Sequence, residues 1–413
     1  MEIQWNKQKK NYYMARQIVV GIDIGTSETR VIVAEGIIQN GRITPKIIGT
    51  GTSESRGVYR GYVADQTEAT KSVRLAVSRA EKVAGIKIKR AYVSFGGIGL
   101  GSVVSNGSVV ISKADLEITN RDMATALEAA ESGISPATIM NKRIINTVPI
   151  EYKIDGKVVW GQAVGLKAER LEVKALFITC LEHHLSDLIN TVEEAGVEVV
   201  DVVAASVALS FVTLSKKQKR VGCLLVDMGA ETLSVVVFEN SNLISLEVFP
   251  IGGNDLTNDI ALGLKVSLEN AENIKIDLDR GTHPAKKKLE EIVSKRLRYC
   301  FGLIETHLKS IGRDALLPAG AIISGGSANI TGIKSISENS LKLPSQLAEV
   351  YFGSSTEGKV RDRSWAVACG LALVGFNADN EKNSIGIRNG KPLAERSKHW
   401  RRLISRWISQ FLP

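Results

Sequence analysis

The stretch Val19–Val33, VVGIDIGTSETRVIV, decides the fold. A β-branched apolar run reaches Asp23, turns at Gly25 and leaves as a second β-branched run, which predicts two strands of a hairpin. The same grammar returns about 200 residues later in Val226–Phe238, VDMGAETLSVVVF, a weak internal repeat. A tight glycine turn aims backbone N–H groups at phosphate oxygens without side-chain obstruction. A strand-end carboxylate can hold hydrated Mg²⁺ against the same phosphates. Two such hairpins facing each other would clamp one nucleotide. The phosphates are therefore expected at Asp23, Gly25, Thr26, Ser27, Asp227, Gly229 and Thr232, with Asp23 and Asp227 on the metal through water. One such hairpin is usually only a turn; two of them with a late strand ending in a glycine pair, AIISGG at 321–326, form a far more specific pattern.

Outward from the first hairpin, 46–53 reads as a third strand and 63–84 as a helix with Val73, Ala76, Val77 and Ala80 on one face, closed by Gly85. Residues 86–175 read as an inserted α+β unit containing a helix at 120–133 with Asn120 as its N-cap. A helix at 182–196, a strand at 197–203 and a small-residue helix at 204–214 follow, and KKQKR at 216–220 punctuates the chain before the second hairpin. The expected division is a flexible extension at 1–16 (Met14 being a second candidate start), a first domain of 17–85 and 176–215 with 364–376 packing back on it, and the insert at 86–175. A second domain at 216–363 carries a smaller subdomain at about 256–315. A linker at 377–398 and a terminal helix at 399–413 complete the chain. The fold class is α/β, two-domain and actin-like (ribonuclease H-like), with an inserted subdomain.

These motifs resemble the actin-like superfamily, and in particular its FtsA family. VVGIDIGTSETRVIV is similar to the first phosphate loop in its FtsA form, VDMGAETLSVVVF to the second, and SGGSANITGI (324–333) to the adenosine loop. ENAENIK (269–275), SRGVYRGYVAD (55–65) and RIINTVPIEYKID (143–155) resemble further FtsA segments. The resemblance implies ATP and Mg²⁺ as cofactors, with Glu272, Lys275, Gly325, Gly326 and Ser327 around the adenosine. It also implies an insert that contacts the next protomer of a filament. Two positions depart from the family: Glu28 follows Ser27 where the family usually has Lys, and Ala230 and Glu231 stand where the second loop usually has glycines. Their carboxylates either crowd the phosphates or face solvent. The segment AASVALSF (204–211) lacks the Glu or Gln that orients water in efficient members, which predicts at most a weak ATPase.

Seven cations stand against Glu395 from Arg388 onward, out of a net charge of +9. Trp400, Leu403, Ile404, Trp407, Ile408 and Phe411 fall on one helical stripe, with Arg402 and Arg406 opposite. Tryptophan at a headgroup boundary and arginine toward anionic lipid describe a helix lying in a membrane surface. Aromatic residues that share a greasy face, rather than interleaving with the cations, argue against nucleic acid. FtsA carries such a helix at the same place. No apolar run reaches the ~18 residues of a membrane span, and the first residues lack the apolar core of a secretory signal. Four scattered cysteines, Cys180, Cys223, Cys300 and Cys369, read as buried thiols of a cytosolic protein.

A basic amphipathic helix spans 286–311. The resemblance implies that Lys295, Arg296 and Arg298 there receive the partly acidic C-terminal peptide of FtsZ. The family therefore implies a filament-forming adaptor that tethers the FtsZ ring at the cytoplasmic face of the membrane, in company with other division proteins. Two other readings stand beside it. A PilM-like scaffold of pilus assembly has similar loops but lacks a terminal amphipathic helix. A sugar or acyl kinase would need a catalytic Asp in a substrate cleft, and no candidate is visible.

Overall fold

The computed structural model describes residues 17–39, 42–159, 163–277, 286–353, 359–360 and 362–385. The expectations at 1–16 and 399–413, including every membrane-facing residue named above, lie outside them.

The first half opens with β1 (Gln17–Ile24), β2 (Glu28–Gln39) and β3 (Arg42–Glu54), a short hairpin of β4 (Val58–Tyr59) and β5 (Tyr62–Val63), α1 (Gln66–Ala84) and β6 (Arg90–Phe95). The insert holds β7 (Gly101–Val110), α2 (Asn120–Ser132), α3 (Pro136–Ile139), β8 (Lys142–Ile154), β9 (Lys157–Val159) and β10 (Arg170–Leu181). The chain returns through α4 (Glu182–Glu194), β11 (Glu198–Ala204) and α5 (Ala205–Thr213), then crosses on α6 (Lys216–Val221). The second half runs through β12 (Cys223–Met228), β13 (Leu233–Glu239), β14 (Asn242–Phe249), α7 (Gly253–Leu264), α8 (Leu268–Ile276) and α9 (Lys286–Ser310). It ends with β15 (Ala321–Ser324), α10 (Ile333–Leu341), β16 (Ser345–Leu347), the pair β17 (Val350–Tyr351) and β18 (Lys359–Val360), and α11 (Ala366–Ile385).

The repeat seen in sequence is a repeat of topology. The first sheet has the order β3-β2-β1-β6-β11, and the second contains β14-β13-β12-β15-β16. In each, three strands pair antiparallel and the last two add in parallel. Strands covered on both faces read as continuous apolar runs, which is why Cys223–Val226 and Val19–Ile24 are buried throughout. α5 and α11 cover the first sheet at very close range. A Cβ at Gly370 would sit 1.9 Å from the Ala208 carbonyl oxygen, and one at Gly21 would sit 2.7 Å from that of Ala368. α7, α9 and α10 enclose a separate core with Leu289, Val293, Leu297, Phe301 and Ile304.

Several boundaries differ from the sequence reading. β6, expected inside the insert at 86–175, lies in the middle of the first sheet, and β10, whose last residues were assigned to the first domain, pairs with β7 and β8 along its whole length. Apolar strands look alike in sequence whichever sheet takes them, so pairing alone sets this limit. The cap of α2 is Thr119, not Asn120. Its side chain and that of Asp122 form a capping box, and Asp122 also accepts the Thr119 N–H at 2.8 Å. KKQKR is not merely punctuation: Ser215 and Gln218 cap it into α6. The final helix, expected to end near 376, continues to Ile385, since neither Gly nor Pro occurs from Phe376 to Ile385.

Candidate nucleotide site

Both hairpin turns close in the same way. The Gly25 N–H donates to the Glu28 carbonyl at 3.2 Å, and the Gly229 N–H donates to the Thr232 carbonyl at 2.9 Å. Register is also shared: Asp23 pairs with Arg30 and Asp227 with Ser234. Each aspartate ends a central strand, so the two sheets aim them at one another across a cleft of about 1040 Å³. Asp23, Gly25, Thr26, Ser27, Asp227, Gly229, Thr232, Glu272, Lys275, Gly325, Gly326 and Ser327 all line this cleft.

The aspartate end is electrostatically tense. Burial raises the Asp23 carboxyl above its usual range, against the Ser94 hydroxyl, which donates to it at 2.7 Å, and the charge of Arg30. Asp227 is pushed up to about 7 by burial and then by the negative charge of Asp23, with Arg30 acting in the opposite direction. Two buried carboxylates in mutual reach are a donor set that a divalent cation satisfies.

The opposite end is rigid and already bonded. Lys275 donates to the Thr257 hydroxyl at 2.8 Å and the Gly253 carbonyl at 3.2 Å, and pairs with Glu272 at 2.7 Å. Ser327 donates to the Gly229 carbonyl at 3.0 Å. The glycine pair has two different reasons. Gly325 adopts φ +96°, and a Cβ there would lie 2.4 Å from the Met228 carbonyl oxygen and 2.7 Å from the Asp227 carboxylate. Gly326 faces open space, leaving room for a ligand to meet bare backbone.

Both unexpected glutamates have partners. Glu28 is ion-paired with Arg30. Glu231 accepts from the Arg60 N–H at 2.7 Å and from the Asn254 side chain at 3.3 Å, so it reaches from the second loop to the β4–β5 turn of the first half. Sequence reading missed Arg30, Ser94, Arg60 and Asn254. A strand period of two from Glu28 signals Arg30; the others are long-range contacts with no local mark.

Of the cations expected to receive a partner peptide, Lys295 and Arg298 are exposed on α9. Arg296 is not: its guanidinium grips both oxygens of Asp259, at 2.6 and 2.7 Å. All four cysteines are buried. Among the described residues no helix is long and apolar enough to cross a membrane.

Two sheets of one topology, closing on a shared cleft with an aspartate from each, define an actin-like fold. Among solved structures, that of a PilM–PilN type IV pilus biogenesis complex matches with a TM-score of 0.58 at 17% identity, covering 86% of this chain and 98% of that one. MreB5 of Spiroplasma citri bound to ADP matches with a TM-score of 0.51 at 13% identity, covering 91% and 99%. A family model described as "Cell division protein FtsA" matches residues 224–370, and one described as "SHS2 domain inserted in FTSA" matches 97–179. The cell division protein FtsA of Pseudomonas aeruginosa is 28% identical over 93% of this chain and 97% of its own length. That of Bacillus subtilis is 29% identical over 90% and 87%. Over most of its length the chain resembles the FtsA family of cell division proteins.

Proposed function

We propose that this protein is a nucleotide-binding, filament-forming adaptor that tethers the FtsZ ring to the cytoplasmic face of the membrane at the division septum. The observation that carries the reading is the convergence of two equivalent aspartate hairpins and the Gly325–Gly326 turn on one cleft. ATP is the proposed ligand. Asp23 and Asp227 would hold hydrated Mg²⁺, whose charge neutralises phosphate oxygens. Thr26, Ser27, Thr232 and the amides of Gly25 and Gly229 would surround the phosphates, with Glu272, Lys275, Gly325, Gly326 and Ser327 around the adenosine. The helix that borders the cleft, α5, presents Ala205 and Leu209 to it, and neither side chain can orient a water molecule. Hydrolysis is therefore slow, below ~1 s⁻¹.

Self-association, the FtsZ C-terminal peptide as partner and the lipid-facing tail are supported by the resemblance to FtsA and by the amphipathic pattern of 399–413. Nucleotide affinity with and without Mg²⁺, together with co-pelleting on anionic vesicles, tests the reading. ATP should bind, the full chain should pellet, and a chain lacking 399–413 should stay in solution. No ATP binding, or vesicle binding unchanged by the deletion, refutes the corresponding part. The pilus-scaffold alternative predicts capture of a pilus-assembly peptide rather than the FtsZ tail.

A further inference from the structure

We propose that the β4–β5 hairpin is a closure latch: it fastens the first half both to the second half and to the two crossings of the insert, and so slows release of nucleotide from the cleft. The part that concerns nucleotide rests on the reading above. The hairpin turns through Arg60 and Gly61, at φ +48° and +77°, with Tyr59 paired to Tyr62. Two positive values suit a tight hairpin turn. Left-handed backbone is free for Gly61 but costly at an arginine, and such strain persists where neighbours hold it. Arg60 is held from two sides. Its N–H donates to the Glu231 carboxylate of the second half at 2.7 Å. Its carbonyl accepts from the Ile98 N–H, on the crossing from β6 into the insert, at 3.2 Å.

The same turn lies against both crossings. A Cβ at Gly61 would sit 2.5 Å from the Gly97 Cα, and one at Gly97 would sit 2.5 Å from the Tyr62 ring. Tyr62 stacks on His184, with ring centres 3.6 Å and planes 13° apart. His184 stands in the first turn of α4, where the chain leaves the insert. The insert is bonded to β14 of the second half through Ser102 and Asn242, so its crossings must bend when the second half swings. Gly61 lines the cleft on one side, and Ala230 and Thr232, which flank Glu231, line it on the other. The fastening therefore lies at the rim of the cleft. Opening the cleft has to break the Glu231 bond, the Ile98 bond and the Tyr62 stack, and one short turn carries all three.

The test follows release of labelled ATP, chased with unlabelled ATP, and amide exchange without nucleotide. It uses the full chain, Glu231→Asp, Tyr62→Leu and the double variant, with melting curves to verify folding. Glu231→Asp keeps the charge beside the phosphates but withdraws the carboxylate from Arg60. Each single variant should release ATP roughly 3- to 10-fold faster, with association within about twofold. The double variant should release within about twofold of the faster single one, because contacts of one latch are lost together. Exchange at Arg60, Ile98 and 183–187 should rise in concert in either single variant. Release unchanged in both single variants, or rate gains that multiply in the double variant, overturns the latch while the cleft remains a nucleotide site. If Tyr62→Leu melts early, His184→Leu removes the stack from the other ring and is judged by the same criteria. A wild-type chain that binds no ATP removes the nucleotide reading and the slowed release with it; exchange then decides the latch, and a rise confined to the mutated contact overturns it.

Discussion

In the first hairpin Asp23 accepts a hydrogen bond from Ser94 and faces Arg30. In the second, Asp227 stands opposite Ser234 and beside Ser324, whose buried hydroxyl has no hydrogen-bond partner among the described residues. The backbones repeat to the residue, yet the electrostatics do not. Burial raises both carboxylates; Asp23 has a Ser94 hydrogen bond and Arg30 set against it, while Asp227, pushed up to about 7, has the charge of Asp23 added to burial and only Arg30, from the other half, set against it. The shared topology fixes the positions from which charge can be presented; the residues at those positions decide how each half presents it.

The sharpest way to break this comparison is to transplant its key difference. Ser234 is buried where it borders the cleft opposite Asp227, so Ser234→Arg should cost roughly 2–3 kcal/mol in chemical denaturation, because a long side chain must be fitted where a small one packs. Arg30→Ser should cost less, about 1–2 kcal/mol of stability, since it removes a largely buried guanidinium whose Glu28 partner is half-exposed. A tolerated Ser234→Arg would mean that packing does not enforce the asymmetry.

A second contrast lies one residue beyond the serines. Phe95 follows Ser94 and is buried; Gly325 follows Ser324 at positive φ. Gly325→Ala should destabilise by about 2–4 kcal/mol and displace Asp227, whereas Gly326→Ala should cost under about 1 kcal/mol. Equal effects would show that the close approach to Met228 is not a constraint.

The connector between the halves supplies a third test. Lys219 on α6 lies 5.0 Å from the Phe211 ring centre and 4.9 Å from that of Phe238, and burial pulls its ammonium down to about 7. The unfolded chain keeps that proton to about 10.5, so between these values it holds more protons than the fold, and stability climbs with pH. The cost is full below 7 and gone above 10.5. Above pH 9 the buried thiols, pushed up to about 11 or 12, act in the opposite direction. Lys219→Met should therefore gain roughly 1–3 kcal/mol at pH 7, with the gain shrinking toward pH 9 by up to ~1.4 kcal/mol per unit. A gain independent of pH would mean that Lys219 is neutral throughout.

The smallest expected effect concerns the two glutamates. Glu28 is paired within its own half, while Glu231 reaches the other half at Arg60. Glu231→Gln should cost about 0.5–1 kcal/mol and loosen the second half against the first, seen as faster amide exchange at Arg60. Protection unchanged at Arg60 would assign the contact no part in closure.

Much of the site was legible because phosphate loops are local: Asp23 to Ser27 and Asp227 to Thr232 are contiguous runs whose chemistry is written in their order. The glycine pair was legible for the same reason. What escaped was whatever two distant segments make together. Nothing near Glu231 announces Arg60, and nothing near Asp23 announces Ser94. The limits of the insert were misplaced on the same account, since β6 and β10 differ in the sheets they join and not in composition. KKQKR was read only as punctuation before the second hairpin; the helix it forms turns Lys219 inward between two aromatic rings.

The junction of the insert with the second half has a mechanical consequence. β14 meets β7 through a single paired position, Glu247 with Gly101. Ser102 bonds to both the carbonyl and the amide of Leu246 at 3.1 Å, and Asn242 donates to the Ile150 carbonyl at 2.7 Å. Each such bond is worth about 1 kcal/mol net, and apolar packing adds to them: Ile145, Val148, Leu176 and Ile178 of the insert are buried in one cluster with Leu243, Leu246 and Val248 of β14. The insert is thus welded to the second half through a shared core, and a displacement of one is carried to the other.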